Sequence, residues 1–114
     1  MSKERILRIN EFIKQELGNI LSKEIDFLEG VVVTITRVDT LPNLQEARVY
    51  VSVIPDEFSR EVLSKLKRKR SWLQNLFNKR AHMKPIPKLV FLEEKRTREA
   101  ARIEELLEQI RKNH

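Results

Sequence analysis

The chain has 114 residues, 40% of them hydrophobic and 35% charged, with a formal net charge of +6 and no cysteine. That length suits one domain, spanning residues 1–114, that buries about two-thirds of its unfolded surface. There is no apolar run near the ~20 residues of a membrane span, no signal-peptide apolar core at the N-terminus and no thiol for disulfide or thiolate chemistry, so a cytoplasmic location is expected.

The charge is unevenly spread. Between Phe58 and Lys84 stand nine basic residues and one acid, Glu61, a net +8, whereas the rest of the chain has a net −2. One basic face on a nearly neutral body suits a polyanionic partner.

Residues 3 to about 24 place Ile6, Ile9, Phe12, Ile13, Leu17, Ile20 and Leu21 at spacings of three and four. This predicts an amphipathic helix with Ser2 as its N-cap. Gly18 weakens that helix without ending it, and Gly30 marks a turn. The β-branched run Val31 to Val38 predicts a strand, and Leu41-Pro42-Asn43-Leu44 supplies turn chemistry. Ala47, Val49, Val51 and Val53 then alternate with Arg48, Tyr50 and Ser52, the pattern of a half-buried strand closing an antiparallel hairpin. Pro55 ends it, and Asp56 is the expected N-cap of the next helix.

The stretch Lys65 to Lys84 reads as two short helical pieces. Val62, Leu63 and Leu66 form one apolar stripe; Trp72, Leu73, Leu76 and Phe77 form a second. A single straight helix would join them through Lys69 and Arg70, and burying unpaired cations costs several kcal/mol each. A kink near Lys69-Arg70-Ser71 is therefore predicted, with Arg68, Lys69 and Arg70 in solvent.

Pro85 and Pro87 impose an extended segment leading into a third strand at Leu89-Val90-Phe91-Leu92, with Pro87 suited only to its first residue. Ala100, Ile103, Leu106, Leu107 and Ile110 mark a C-terminal amphipathic helix, about 97–112, loosely docked on the rest. The order is α-β-β-α-(kink)-α-β followed by a helix. An α+β fold, with a three-stranded sheet covered by helices on one face, satisfies every apolar stripe at once. The order matches the type II K-homology (KH) arrangement, a small RNA-binding architecture.

The hairpin Thr36-Arg37-Val38-Asp39-Thr40-Leu41-Pro42-Asn43-Leu44-Gln45-Glu46-Ala47-Arg48-Val49-Tyr50-Val51-Ser52 resembles the strand-turn-strand signature of the bacterial ribosome-binding factor A family. Pro87-x-Leu89-x-Phe91, followed by Ala101-Arg102-Ile103-Glu104-Glu105-Leu106-Leu107, resembles that family's closing motif. The N-terminal helix is similar in pattern only. Asn43 replaces the usual acid of the turn, Glu94 a common aspartate and Ala100 a common glycine. Lys69-Arg70-Ser71 stands where the family usually has Ala-x-Gly at its kink. The resemblance implies an assembly factor for ribosome biogenesis that binds the free 30S small ribosomal subunit rather than the 70S ribosome. It further implies support of 16S rRNA maturation and 5′-end processing, and a link to cold adaptation.

For the basic joint, the bland reading is a solvated helix face. Five cations between Lys65 and Arg70, beside a turn, favour RNA-backbone contact instead, since several cations release counterions together and helix N-termini offer N–H groups to phosphates. The expected RNA-binding residues are Lys65, Lys67, Arg68, Lys69, Arg70, Lys79, Arg80 and Lys84. Trp72 is read as core in preference to a base-stacking residue, Tyr50 as a packing or surface residue of the sheet, and His82 as part of the basic surface. Neither histidine has partners at metal-ligand spacing. The acidic pairs Glu93-Glu94 and Glu104-Glu105 read as solvated charges rather than a general acid and base. No enzyme, cofactor, metal, membrane partner or small-molecule substrate is expected, and the protein is taken as a monomer. Two other classes remain open: a protein-interaction adaptor with an incidental basic face, and a helix-turn-helix DNA binder reading bases with Gln74, Asn75 and Asn78.

Overall fold

A computed structural model of the protein describes residues 2–95 and 106–112. The first helix, α1 (Lys3–Glu24), begins as its sequence dictates, with the Ser2 hydroxyl accepting the Arg5 N–H at 3.2 Å. It buries Ile9, Ile13, Leu17, Ile20 and Leu21. Gly30, at φ 82°, makes the turn into β1 (Val32–Thr40). A side chain at that φ would be strained.

β1 pairs antiparallel with β2 (Glu46–Ile54), with a register shift between Ile35 and Arg37 that bulges Thr36 out of the ladder. In the turn, Leu44 N–H donates to the Leu41 carbonyl at 2.8 Å. Asn43 Oδ1 accepts the Gln45 N–H at 3.0 Å, a role open to an aspartate carboxylate as well. Leu44 takes φ 60° and is 1% exposed, so packing holds a leucine in a backbone region that leucine disfavours.

After β2 the chain makes a 3-10 turn (Asp56–Phe58), and α2 (Ser59–Arg68) begins only then. Asp56 is therefore not the N-cap expected of it; Phe58 occupies that position with no side-chain cap bond. α3 (Arg70–Asn78) and β3 (Lys88–Glu93) follow, β3 lying parallel to β2. The sheet order is β1-β2-β3.

Period-two alternation sorts the strands into two faces. Ile35, Val38, Ala47, Val49, Val51, Val53, Leu89 and Phe91 are buried, against the apolar stripes of α1, α2 and α3. Phe12 and Phe77 meet in that core with ring centres 6.1 Å apart. Two side-chain clamps fix the layers: Asn10 Oδ1 accepts the Thr40 N–H at 2.9 Å, and Gln74 Oε1 accepts the Leu89 N–H at 2.8 Å. The α+β fold with helices on one face of a three-stranded sheet is the one the sequence predicts.

Residues 106–112 are helical, and Leu106, Leu107 and Ile110 are each more than half exposed. The expected start of that helix near Thr97 lies outside the described residues.

Candidate nucleic-acid interface

α2 and α3 meet at a single non-helical residue. Lys69 sits at φ −94°, ψ 7°, its N–H bonded back to the Lys65 and Lys67 carbonyls and its carbonyl accepting the Leu73 N–H at 2.9 Å. No residue from 69 to 71 has positive φ. The bend thus needs no glycine, which explains how Lys69-Arg70-Ser71 serves in place of an Ala-x-Gly pattern. The predicted kink is present at the predicted place, and Leu66 and Leu73 stay fully buried on either side of it.

The bend sorts the neighbouring side chains. Lys67, Arg68 and Lys69 are exposed, while Arg70 is half-buried rather than fully in solvent. Trp72 is 41% exposed, with the Lys69 ammonium 5.1 Å from its ring centre, a cation–π distance. The expectation of a core tryptophan is overturned. Leu73 and Phe77, four residues apart, fill the core-facing line of α3, and Trp72 lies about 100° round the helix from Leu73.

The predicted cations do not form one cluster. Lys67 and Arg68 line a groove of about 590 Å³ between α2 and the end of β3, with Arg60, Leu63, Ser64, Leu92 and Glu93. Arg60 was absent from the residues singled out; its place at i−4 to Ser64 and i−7 to Lys67 on one polar helix line is the signal that finds it. Lys65 turns to the other side of α2, donating to the Asp26 carbonyl at 2.6 Å with the Phe27 ring 5.8 Å away. Arg80 is committed to Glu16, Nη1 to Oε2 3.3 Å. Lys79 and Lys84 are exposed beyond the far end of α3, a helix about 13 Å long. His82 is exposed.

The first turn of α3 has no side-chain cap and no acidic residue. Arg68, Lys69 and Arg70 stand at successive positions through the bend, about 100° apart round the helix, and bring positive charge to it from more than one side. That arrangement can take a phosphate and hold it without reading sequence.

The reading of Glu94 as a solvated charge is overturned, because it belongs to a cluster on the open face of the sheet. Arg37 Nε lies 3.0 Å from Glu94 Oε1, and the Thr36 hydroxyl donates to the same oxygen at 3.2 Å. The hydrogen bond from Arg37 holds the Glu94 carboxyl below its ordinary range, and the same bond raises the Arg37 guanidinium. Among the described residues no group of three or more His, Cys, Asp or Glu side chains is placed to hold a metal. No helix among them is long and apolar enough to cross a membrane.

The chain has relatives among known proteins. A family model described as ribosome-binding factor A matches residues 5–107. A ribosome-binding factor A of Pelodictyon phaeoclathratiforme is 35% identical over 96% of this chain and 93% of its own length. One from Clostridium botulinum is 31% identical over 99% of this chain and 96% of its own. Among solved structures, the solution NMR structure of a Thermotoga maritima protein, described as a candidate ribosome binding factor A, superposes with a TM-score of 0.59. It covers 79% of this chain and 91% of that one at 21% identity, a likeness of fold. With a family match across nearly its whole length, the chain belongs to the ribosome-binding factor A family.

Proposed function

We propose that this protein is a monomeric, cytoplasmic assembly factor that binds the free or immature 30S subunit and supports maturation and 5′-end processing of 16S rRNA. The observation that carries this reading is the α2–α3 joint. There Arg68, Lys69 and Arg70 follow one another at a helix N-terminus that has no side-chain cap, beside the groove lined by Arg60 and Lys67. Several cations at one place release several counterions when they meet phosphate, and this term dominates affinity for nucleic-acid backbone. Trp72 adds an exposed aromatic face on which an unpaired base can stack.

Within the proposed interface, Lys67, Arg68, Lys69 and Arg70 form the primary contact. Lys79 and Lys84 extend it along the backbone. Lys65 and Arg80 contribute less, since each already has a partner within the protein. Residues 1–114 act as one unit, and no catalytic step is required: the protein holds rRNA in a conformation that other factors process. A role in growth in the cold belongs to the same proposal, as the family resemblance implies. The helix-turn-helix alternative is weakened, since Gln74, one of its three reading residues, is spent on the Pro87 carbonyl and the Leu89 N–H.

The test is co-sedimentation with purified 30S subunits, 70S ribosomes and duplex DNA. Association with 30S alone supports the proposal. Preference for duplex DNA, or no ribosomal association, overturns it.

A further inference from the structure

α2 has a second cleft, on the side away from the basic groove. It is a cavity of about 320 Å³ lined by Phe27, Leu28 and Val31 from the α1–β1 loop and by Phe58 and Val62. Its charged lining is Asp26, Glu61 and Lys65, a net −1, with the Lys65 ammonium held against the Asp26 carbonyl. The apolar surface continues past the mouth: Leu28 is 55% exposed, and the cross-strand partners Val32 and Ile54 are 57% and 52% exposed. Apolar side chains left in water beside an apolar cavity mark a surface built to be covered.

The chain carries a matching surface. In the helix 106–112, Leu106, Leu107 and Ile110 are related by three and four residues and so form one stripe, each side chain 52–54% exposed. Ile110 is followed by Arg111 and Lys112 and preceded by Glu108, a net +1 against the net −1 of the cavity.

The strand geometry brings the two surfaces within reach. Glu93 pairs with Val51, and the Glu94 N–H donates to the Val51 carbonyl at 2.9 Å. The chain therefore leaves β3 at the end of the sheet where β1 begins and β2 ends, which is the end that carries the cavity. From Lys95 to Leu106 are eleven residue steps, which cover about 16 Å in the tightest regular helix and about 36 Å extended. Either exceeds the ~10 Å width of α2 that separates exit from cavity.

We infer that the C-terminal helix 106–112 docks its Leu106-Leu107-Ile110 stripe into the Phe27-Leu28-Val31-Phe58-Val62 cavity of its own chain. Arg111 and Lys112 then lie against Asp26 and Glu61. The cavity has room for about two such side chains. The exposed helix of this structure is the undocked form, so the chain has two arrangements, and the docked one leaves the opposite groove of α2 free. This inference does not depend on RNA binding.

The absence of native cysteine allows a clean test in the full chain. Glu29→Cys and Gln109→Cys lie beside the two apolar surfaces without removing any part of them. A control pairs Leu7→Cys with Gln109→Cys; Leu7 is 65% exposed and lies 17 residues before the end of α1 at Glu24, about 26 Å along the helix. With a short bis-maleimide reagent in dilute solution, the first pair should close within one chain at least about tenfold faster than the control, as expected of a docked helix over a merely tethered one. Equal rates overturn the inference. Cross-linked dimers in place of monomers also overturn it, assigning the cavity to a second copy. In parallel, Ile110→Asp should reduce amide-exchange protection at residues 27–31 by about the same factor; unchanged protection overturns docking.

Discussion

Arg37 reaches across the Tyr50 ring, its guanidinium carbon 3.7 Å from the ring centre, to place Nε and Nη2 on the Glu94 carboxylate at 3.0 and 3.3 Å. One side chain of β1 thus straps the middle strand to the segment just after β3.

The strap makes a pH prediction. The Glu94 carboxyl is held below its ordinary range first by the hydrogen bond from Arg37 and then by the charge of Arg37 and the Thr36 hydroxyl. A carboxyl with a depressed folded pKa contributes stability that is present above its unfolded pKa, about 4.3, and lost as pH falls through the folded value. Wild type should therefore melt above Glu94→Gln at pH 7, and the gap should close below about pH 4. Thermal melts of both proteins from pH 7 to pH 3 check this. A gap that widens with acid would mean that Glu94 is stabilised in its protonated form.

The strand faces predict unequal costs for neighbours. Val49 is 0% exposed beneath α1–α3, and Val49→Ala should cost about 2 kcal/mol from lost burial and the cavity left behind. Arg48 points to the open face and pairs with Glu46 at 3.0 Å, so Arg48→Ala should move the urea midpoint little. A larger shift for Arg48→Ala would mean the faces are inverted.

What the sequence made legible was whatever rests on apolar periodicity. The α1 stripe, the alternation of Ala47 to Val53 and the interruption at Lys69-Arg70 each have one way to satisfy burial, and the chain takes it. Trp72 was misread because the sequence stripe is wider than the line a short helix can bury, and periodicity does not say which edge of a stripe stays in water. The partners of Lys65 and Arg80 were illegible for another reason. Asp26 and Glu16 lie 39 and 64 residues away in sequence, and only the packed fold brings them near. Likewise, the late start of α2 reflects the 3-10 turn after Pro55, which local capping rules do not foresee.

Trp72 and Leu73 should now behave in opposite ways. Leu73→Ala removes a fully buried side chain and should cost about 2–5 kcal/mol. Trp72→Ala removes a partly exposed ring and should cost far less stability, while weakening RNA binding by the loss of one stacking surface, worth about 1–3 kcal/mol. Denaturation and RNA titration of both variants separate the roles. A Trp72→Ala protein as destabilised as Leu73→Ala would return the tryptophan to the core.

The joint itself yields the sharpest expectation, because its cations differ in commitment. Arg68→Ala, Lys69→Ala and Arg70→Ala combined should leave the fold standing, since none of the three is buried. Easing like-charge repulsion offsets part of what half-buried Arg70 loses in packing. Binding to rRNA or 30S subunits should fall and, if all three touch phosphate, the slope of log affinity against log salt should flatten by about 2 units, at about 0.7 per phosphate on single strands. The loss should be uniform across RNA sequences, because phosphates carry no base information. Lys65→Ala provides the comparator: its ammonium is spent on the Asp26 carbonyl, so its loss should loosen the α1–β1 loop and leave the salt slope nearly unchanged. A salt titration of wild type, the triple variant and Lys65→Ala, with thermal melts alongside, decides the matter. A folded triple variant with an unchanged slope would move the interface to Lys79, Arg80 and Lys84, and a slope lowered as much by Lys65→Ala would place the RNA on the opposite side of α2.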